Sequence, residues 1–242
     1  MTLVAHAGVS VVPYAGADGA TLLRALADEP RAVIYDVDGV SDHTAHLLAT
    51  FDVLDHYLAG WPATPVLVRV TDDTVRQVLR FHRVSERVTS WRAMNAAMSA
   101  GRRLPEVPRA VLELECSPKA ARTARDFVRR SPLLPADETL ADTAILLVSE
   151  LVTNAVQNAG TPITVTLSSS VPAAGQGRAA VRIAVRDGGE GRPVLLSAAA
   201  DMEHGRGLFH VDSLSRNWGI IPLEQGKAVW AVVDGTDRPM SW

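Results

Sequence analysis

The sequence predicts an α/β protein in two domains, and three observations carry that prediction. In the first hundred residues, short apolar runs alternate with amphipathic segments of helical period, as strands and helices alternate in an α/β layer. A stretch at 101–108 breaks the pattern with a glycine, two prolines and charges, the composition of a linker. After it, three short motifs follow in fixed order: SELVTNAVQNA at 149–159, DGGEG at 187–191 and GRGL at 205–208. The length of 242 residues suits one or two domains, and the linker divides the chain into 1–100 and 109–242.

The elements of the first domain follow in order. Residues 9–14 read as a strand, and 19–28 as a helix with Leu22, Leu23 and Leu26 inward. Residues 32–37 are an apolar run closing on an acid, the pattern of a buried strand. Residues 43–60 carry Leu47, Leu48, Phe51, Leu54 and Leu58 at helical spacing, and 65–70 read as another strand. The spacing predicts helices over 73–81 and 89–100. Asp36, Asp38 and Gly39 form D-x-D-G, which resembles the signature of haloacid-dehalogenase phosphatases; there Asp36 would be nucleophile and Asp38 acid/base. That chemistry needs a later Lys, and none precedes the linker, so the phosphatase reading is set aside.

In the second domain, Glu150, Asn154 and Asn158 are four apart and share one helix face. Ile145, Leu146, Leu147, Leu151, Val152, Ala155 and Val156 supply its apolar sides. A carboxylate and two amides in so apolar a segment call for polar partners or for water. An Asn oxygen can ligate magnesium carried by nucleotide phosphates, and a carboxylate one turn earlier can take a proton from an attacking hydroxyl. Residues 180–186 alternate as a strand, which places Asp187 at its end, where a carboxylate can accept from an exocyclic amine. Gly189 and Gly191 allow unusual backbone angles and close approach, although an ordinary glycine turn reads the same way. Gly205, Arg206, Gly207 and Leu208 open a helix over 208–214, whose free N–H groups suit an anion. Residues 168–177 read as a hairpin loop between two strands.

These motifs resemble the GHKL ATP-binding fold shared by gyrase, Hsp90, MutL and histidine kinases, and within it the anti-sigma-factor serine kinases. The resemblance spans residues 109–234 and implies an α/β sandwich, a mixed sheet covered by helices. It implies ATP and Mg as cofactors. Asn154 would hold the metal, Glu150 would be the general base and Asp187 would bind adenine. Asn158, Gly189, Gly191, Gly205, Arg206, Gly207 and Leu208 would complete the nucleotide site. Residues 226–231 look like the last strand of such domains, with Ala228 where a Thr is common. No long hairpin bearing a phosphoacceptor His precedes the domain, and little chain follows Val233, which favours the anti-sigma kind over the larger relatives.

The first domain resembles a STAS module, the fold of anti-anti-sigma factors, in a strand, then residues 38–45, then a helix. Asp42 matches that family, His43 and Ala45 depart from it, and Thr44 falls at the phosphorylated position, where it also suits a helix cap. His43 and His46 lack a third ligand nearby and are set aside as a metal pair. The implied partners are a sigma factor and a STAS-type anti-anti-sigma protein; the oligomeric state, a homodimer included, stays open.

The net charge of −3 gives no global attraction for nucleic acid, and no direct nucleic-acid partner is expected. Arg122, Arg125, Arg129 and Arg130 line one short helix, either as a solvated face or as a dock for an acidic partner, with Arg122 the first residue to test. A single cysteine, Cys116, suits a reducing compartment and reads as a small buried hydrophobe at a strand end. Neither a signal peptide nor a membrane span of about 20 apolar residues is evident, and a cytoplasmic location is expected. Non-catalytic binding and a degenerate scaffold remain alternatives to a kinase.

Overall fold

The computed structural model describes residues 4–6, 8–14, 20–38, 51–52, 64–81, 88–170, 179–189 and 206–235. The chain divides into two compact units, Met1–Val107 and Pro108–Trp242. Together they make a mixed α/β protein with one largely parallel and one antiparallel sheet.

The first unit is a five-stranded sheet in the order β1-β2-β3-β4-β5. Strand β1 (Val4–His6) turns back on β2 (Val9–Pro13) through Gly8, whose φ of 79° suits glycine. Strands β3 (Ala32–Asp36), β4 (Val66–Arg69) and β5 (Val88–Trp91) then add in parallel. Helices α1 (Ala20–Ala27), α2 (Asp73–Phe81) and α3 (Met94–Arg103) alternate with them. Val9, Ala32, Ile34 and Leu67 meet Ala97 of α3 in the core.

Two expectations are corrected in this unit. Thr89 and Trp91 belong to β5, so the helix expected from residue 89 begins at Met94. Val88, Thr89 and Trp91 are β-branched or aromatic, and pairing with β4 outweighs local helical spacing. Residues 101–103, expected in the linker, form the last turn of α3. A Cβ at Gly101 would lie 3.3 Å from side-chain carbons of Val9 and Ala32, a tight contact that glycine avoids where the helix lies on the sheet. Phe51 and Asp52 are helical, within the span expected as a helix; its other residues lie outside those described.

The second unit has five strands: β6 (Arg109–Leu114), β7 (Ile163–Ser170), β8 (Ala180–Asp187), β9 (Asn217–Pro222) and β10 (Lys227–Asp234). Their order is β6-β7-β8-β10-β9 and every described pairing is antiparallel. The expected mixed sheet is therefore corrected. Residues 223–226 join β9 to β10, and a connection that short makes an antiparallel hairpin, whereas a parallel pair needs a long crossover.

Helices α4 (Ala120–Arg129), α5 (Glu138–Asn158) and α6 (Arg206–Leu214) share one core with the sheet. Val181, Ile183 and Val185 of β8 and Val229, Ala231 and Val233 of β10 face this core at the two-residue period of a strand. Ala120, Ala124 and Val128 of α4 and Ala144, Leu147, Val148, Leu151 and Val152 of α5 close on them. On the opposite side of the sheet Arg182 is buried, its guanidinium 5.5 Å from the ring of Trp230. Burial, with Arg186 nearby, pushes that guanidinium down to about 9.

Helix α5 starts where Asp137 caps it, its carboxylate accepting from Leu140 N at 3.1 Å. It ends at Ala159 and Gly160, the latter with φ 64°, the left-handed turn that closes many helices. Contrary to expectation, this 21-residue helix is long and apolar enough to cross a membrane by length and composition. Here its apolar side is part of the core against the sheet.

Candidate functional site

Helix α5 lays out a polar stripe. Glu150, Asn154 and Asn158 stand one turn apart, each step rising about 6 Å. The stripe lies beside the buried row of Leu147, Leu151 and Ala155. Glu150 keeps a quarter of its side chain exposed, and its Oε1 lies 3.3 Å from Nδ1 of His210 on α6. Asn154 Oδ1 accepts from Asn158 Nδ2 at 2.6 Å, and the same nitrogen donates to the Asn154 carbonyl at 2.8 Å. The two amides thus form one hydrogen-bonded unit, with Asn158 exposed.

Asp187 ends β8 on the side of the sheet that faces the helices, in the same alternation as Ile183 and Val185. Its Oδ1 accepts from Gly189 N at 2.9 Å and from Lys227 Nζ at 2.8 Å. Asp187 and Lys227 are cross-strand partners in the β8–β10 register. The ion pair is buried, with side-chain exposures of 1% and 6%. Two glycines permit this corner. A Cβ on Gly226 would lie 1.8 Å from the Asp187 carbonyl oxygen, and Gly226 has a φ of 78°. A Cβ on Gly189 would lie 2.8 Å from Ala159 Cα at the end of α5. Gly188 N donates to Thr161 Oγ1 at 2.8 Å, fastening the loop after α5 to the end of β8.

Helix α6 begins at Arg206, so Arg206 and Gly207 lie in its first turn. Leu208 is buried. Gly191, Gly205 and Thr44 lie outside the described residues, as do Asp42, His43 and His46 and the tip of the expected hairpin loop. Arg122 is exposed on α4. Its neighbours differ: Arg125 donates to Ser149 Oγ at 2.7 Å, beside Glu150, and Arg129 pairs with Asp126 at 2.9 Å. Cys116 is half-buried, and its thiol donates to the Val156 carbonyl of α5 at 3.7 Å.

One helix therefore organises the site. His210 meets it at Glu150, and the Asp187 corner meets it about 13 Å further on, at Ala159. Sequence reading missed His210, Lys227, Ala159 and Thr161. Lys227 is adjacent to Gly226 in the expected last strand, but only the strand register sets it opposite Asp187. His210 lies 60 residues from Glu150 in the chain, and local period does not record such a distant pairing.

The residues fit a nucleotide unevenly. At the α5–α6 end, Glu150 is partly open to solvent, and Asn154 offers an oxygen to a cation carried by phosphates once Asn158 releases it. At the far end the carboxylate expected for adenine is already bonded to Lys227. Among the described residues no three His, Cys, Asp or Glu gather as a metal cluster.

In the first unit, Asp36 and Asp38 are both held by Arg69. Its guanidinium donates to Asp36 at 2.9 and 3.0 Å and to Asp38 at 2.8 Å. Thr71 donates to Asp38 through its hydroxyl and, at 3.2 Å, through its N–H. These bonds, the Thr71 hydroxyl foremost, hold the Asp38 carboxyl below its usual range. An arginine fork between the two acids ties together the ends of β3 and β4.

No family model matches the chain, and no curated protein matches it in sequence.

Proposed function

We propose that Pro108–Trp242 is a GHKL-type nucleotide domain of the anti-sigma-factor serine kinase kind, binding ATP with Mg. The first unit is then a STAS-like regulatory module, and the whole a cytoplasmic regulator of a sigma factor or of a STAS-type anti-anti-sigma partner. The observation that carries this reading is the single helix α5, which bears Glu150 and Asn154 while the residue that ends it, Ala159, packs on Gly189, two residues past Asp187. That arrangement puts a carboxylate, an amide and the Asp187 corner along one helix, which supports giving them the roles of general base, cation ligand and base-recognition site.

In this reading Glu150 accepts the proton of a partner Ser or Thr hydroxyl as that oxygen bonds to the γ-phosphorus. The bond to the bridging oxygen breaks, and ADP leaves with the electron pair. Asn154 steadies the cation, and the first turn of α6 turns free N–H groups toward the phosphates. Bound magnesium would neutralise charge building up on those phosphates.

The test is label transfer from γ-labelled ATP, with Mg, to a panel of STAS proteins. Transfer to a Ser or Thr that disappears in Glu150→Ala, with ATP binding retained, supports a kinase. Magnesium-dependent ATP binding that weakens in Asn154→Ala supports the site itself. If calorimetry at saturating ATP records no binding, the proposal is refuted. One observation favours a second reading, a degenerate scaffold that no longer binds nucleotide: the carboxylate of Asp187 is engaged by Lys227 inside the domain. A folded protein that shows no ATP binding in calorimetry would select it.

A further inference from the structure

The two edges of the second sheet differ. Among the described residues β6 pairs with β7 on one side and with no strand on the other, while β9 forms the opposite edge. An edge strand presents a row of backbone donors and acceptors that can template a further strand. Strand β9 is mostly half-buried and closes on Pro222, which cannot donate. Strand β6 instead alternates exposed and half-buried residues. Its Val111 is 52% exposed, and among the described residues no other large apolar side chain of either sheet is so open to water. We propose that β6 pairs antiparallel with β6 of a second copy of this chain, with Val111 on the two-fold axis. The proposal is independent of the nucleotide-binding reading.

The backbone restricts how such a pair can form. In an antiparallel ladder, opposed residues alternate between pairs that exchange hydrogen bonds and pairs that do not. Ser169 N donates to the Pro108 carbonyl at 3.1 Å, so these two stand at a bonded position. By the β6–β7 register, Ala110, Leu112 and Leu114 are the next bonded positions. The residues between them, Arg109, Val111 and Glu113, therefore aim their N–H and C=O groups at the sheet's outer edge. A second copy can bond there only by presenting the same three residues.

The side chains then select one register. Leu112 and Leu114 pack on the core under the helices, so Arg109, Val111 and Glu113 share the other face. Centring the pair on Val111 sets the two valines together. It also sets Arg109 opposite the second copy's Glu113, and Glu113 opposite the second copy's Arg109. Sliding by one step either way sets Val111 against a charge. Edge charges of one sign would repel an identical edge; opposite signs placed symmetrically about Val111 attract it. Glu113 Oε2 already accepts from Thr164 Oγ1 at 2.8 Å, which steadies the carboxylate and leaves Oε1 for the arginine.

The experiment is sedimentation velocity of the full chain over a concentration series, in the wild type and in three charge variants. The wild type is expected to show a monomer–dimer equilibrium in the micromolar range, as suits a small interface. Arg109→Glu and Glu113→Arg each put like charges in both symmetric pairs, and each is expected to weaken the dimer by about tenfold or more. The double variant Arg109→Glu with Glu113→Arg restores opposite charges and is expected to return within about threefold of the wild type. A wild type still monomeric at about 1 mM overturns the proposal, and this arm needs no variant to fold. Single variants that dimerise like the wild type overturn it as well. So does a double variant no tighter than the singles, because only the stated register lets one swap compensate the other. Circular dichroism checks that the variants, all at exposed positions, keep the fold.

Discussion

Replacing Gly226 with alanine tests whether the turn before β10 builds the Asp187 corner. The backbone there has φ 78°, and a left-handed angle costs a residue with a Cβ about 1–2 kcal/mol. The new Cβ would also lie 1.8 Å from the Asp187 carbonyl oxygen and 2.6 Å from Gly188 Cα. Carbon and carbonyl oxygen settle at about 3.3 Å or more, so the turn must open by roughly 1.5 Å. The Lys227–Asp187 bond of 2.8 Å would then stretch past hydrogen-bonding range. Separating buried partners costs about 3–5 kcal/mol. The expected loss is about 4–7 kcal/mol, a large part of an ordinary domain's stability of about 5–15 kcal/mol. Gly160→Ala is the control: its φ is 64°, but nothing lies within 4 Å of the added Cβ, so only the angular cost applies. Urea unfolding followed by tryptophan fluorescence reads both variants, since Trp218 and Trp230 sit on β9 and β10. If Gly226→Ala costs no more than Gly160→Ala, the reasoning about this corner is wrong.

Three further expectations follow from the same geometry. Asp187→Ala should cost about 3–5 kcal/mol by stranding a buried ammonium, while Asp187→Asn combined with Lys227→Met should cost clearly less; a double-mutant cycle in urea measures the difference. Asp137→Ala should lose about 1 kcal/mol by uncapping α5, whereas Asp137→Ser should restore most of it. The Asp38 carboxyl is depressed in the folded state, so the stability it adds is present above its ordinary range and is lost as pH falls through the lowered value. Thr71→Val should bring that carboxyl back up, read by NMR titration of the Asp38 side chain, and an unmoved titration would discount the Thr71 hydroxyl.

Much of the layout was legible in the sequence because it rests on local period. The α5 stripe, the strand ending at Asp187 and the helix that opens around the second glycine pair are all short-range patterns. What escaped was set by distant partners. Thr89 and Trp91 join a strand because β4 lies alongside. Gly101 looks like a linker residue until Val9 and Ala32 are seen pressed against it. Gly189 reads as room for a ligand, yet the room is taken by Ala159. Asp187 reads as an open acceptor, and strand register alone reveals the lysine opposite. The antiparallel course of the second sheet likewise depends on which strands become neighbours, and composition does not record that.

The seat of Ala159 on Gly189 gives helix α5 a mechanical character. With no methyl on Gly189 to cushion the contact, the rod's tail abuts the turn that follows β8 directly. A regular helix resists compression along its axis, so a push at that tail travels its length instead of being absorbed locally. Two and a half turns upstream, the same rod carries Glu150 against His210. A change that wedges or relaxes the turn after β8 is therefore expected to be felt where that acid faces its imidazole.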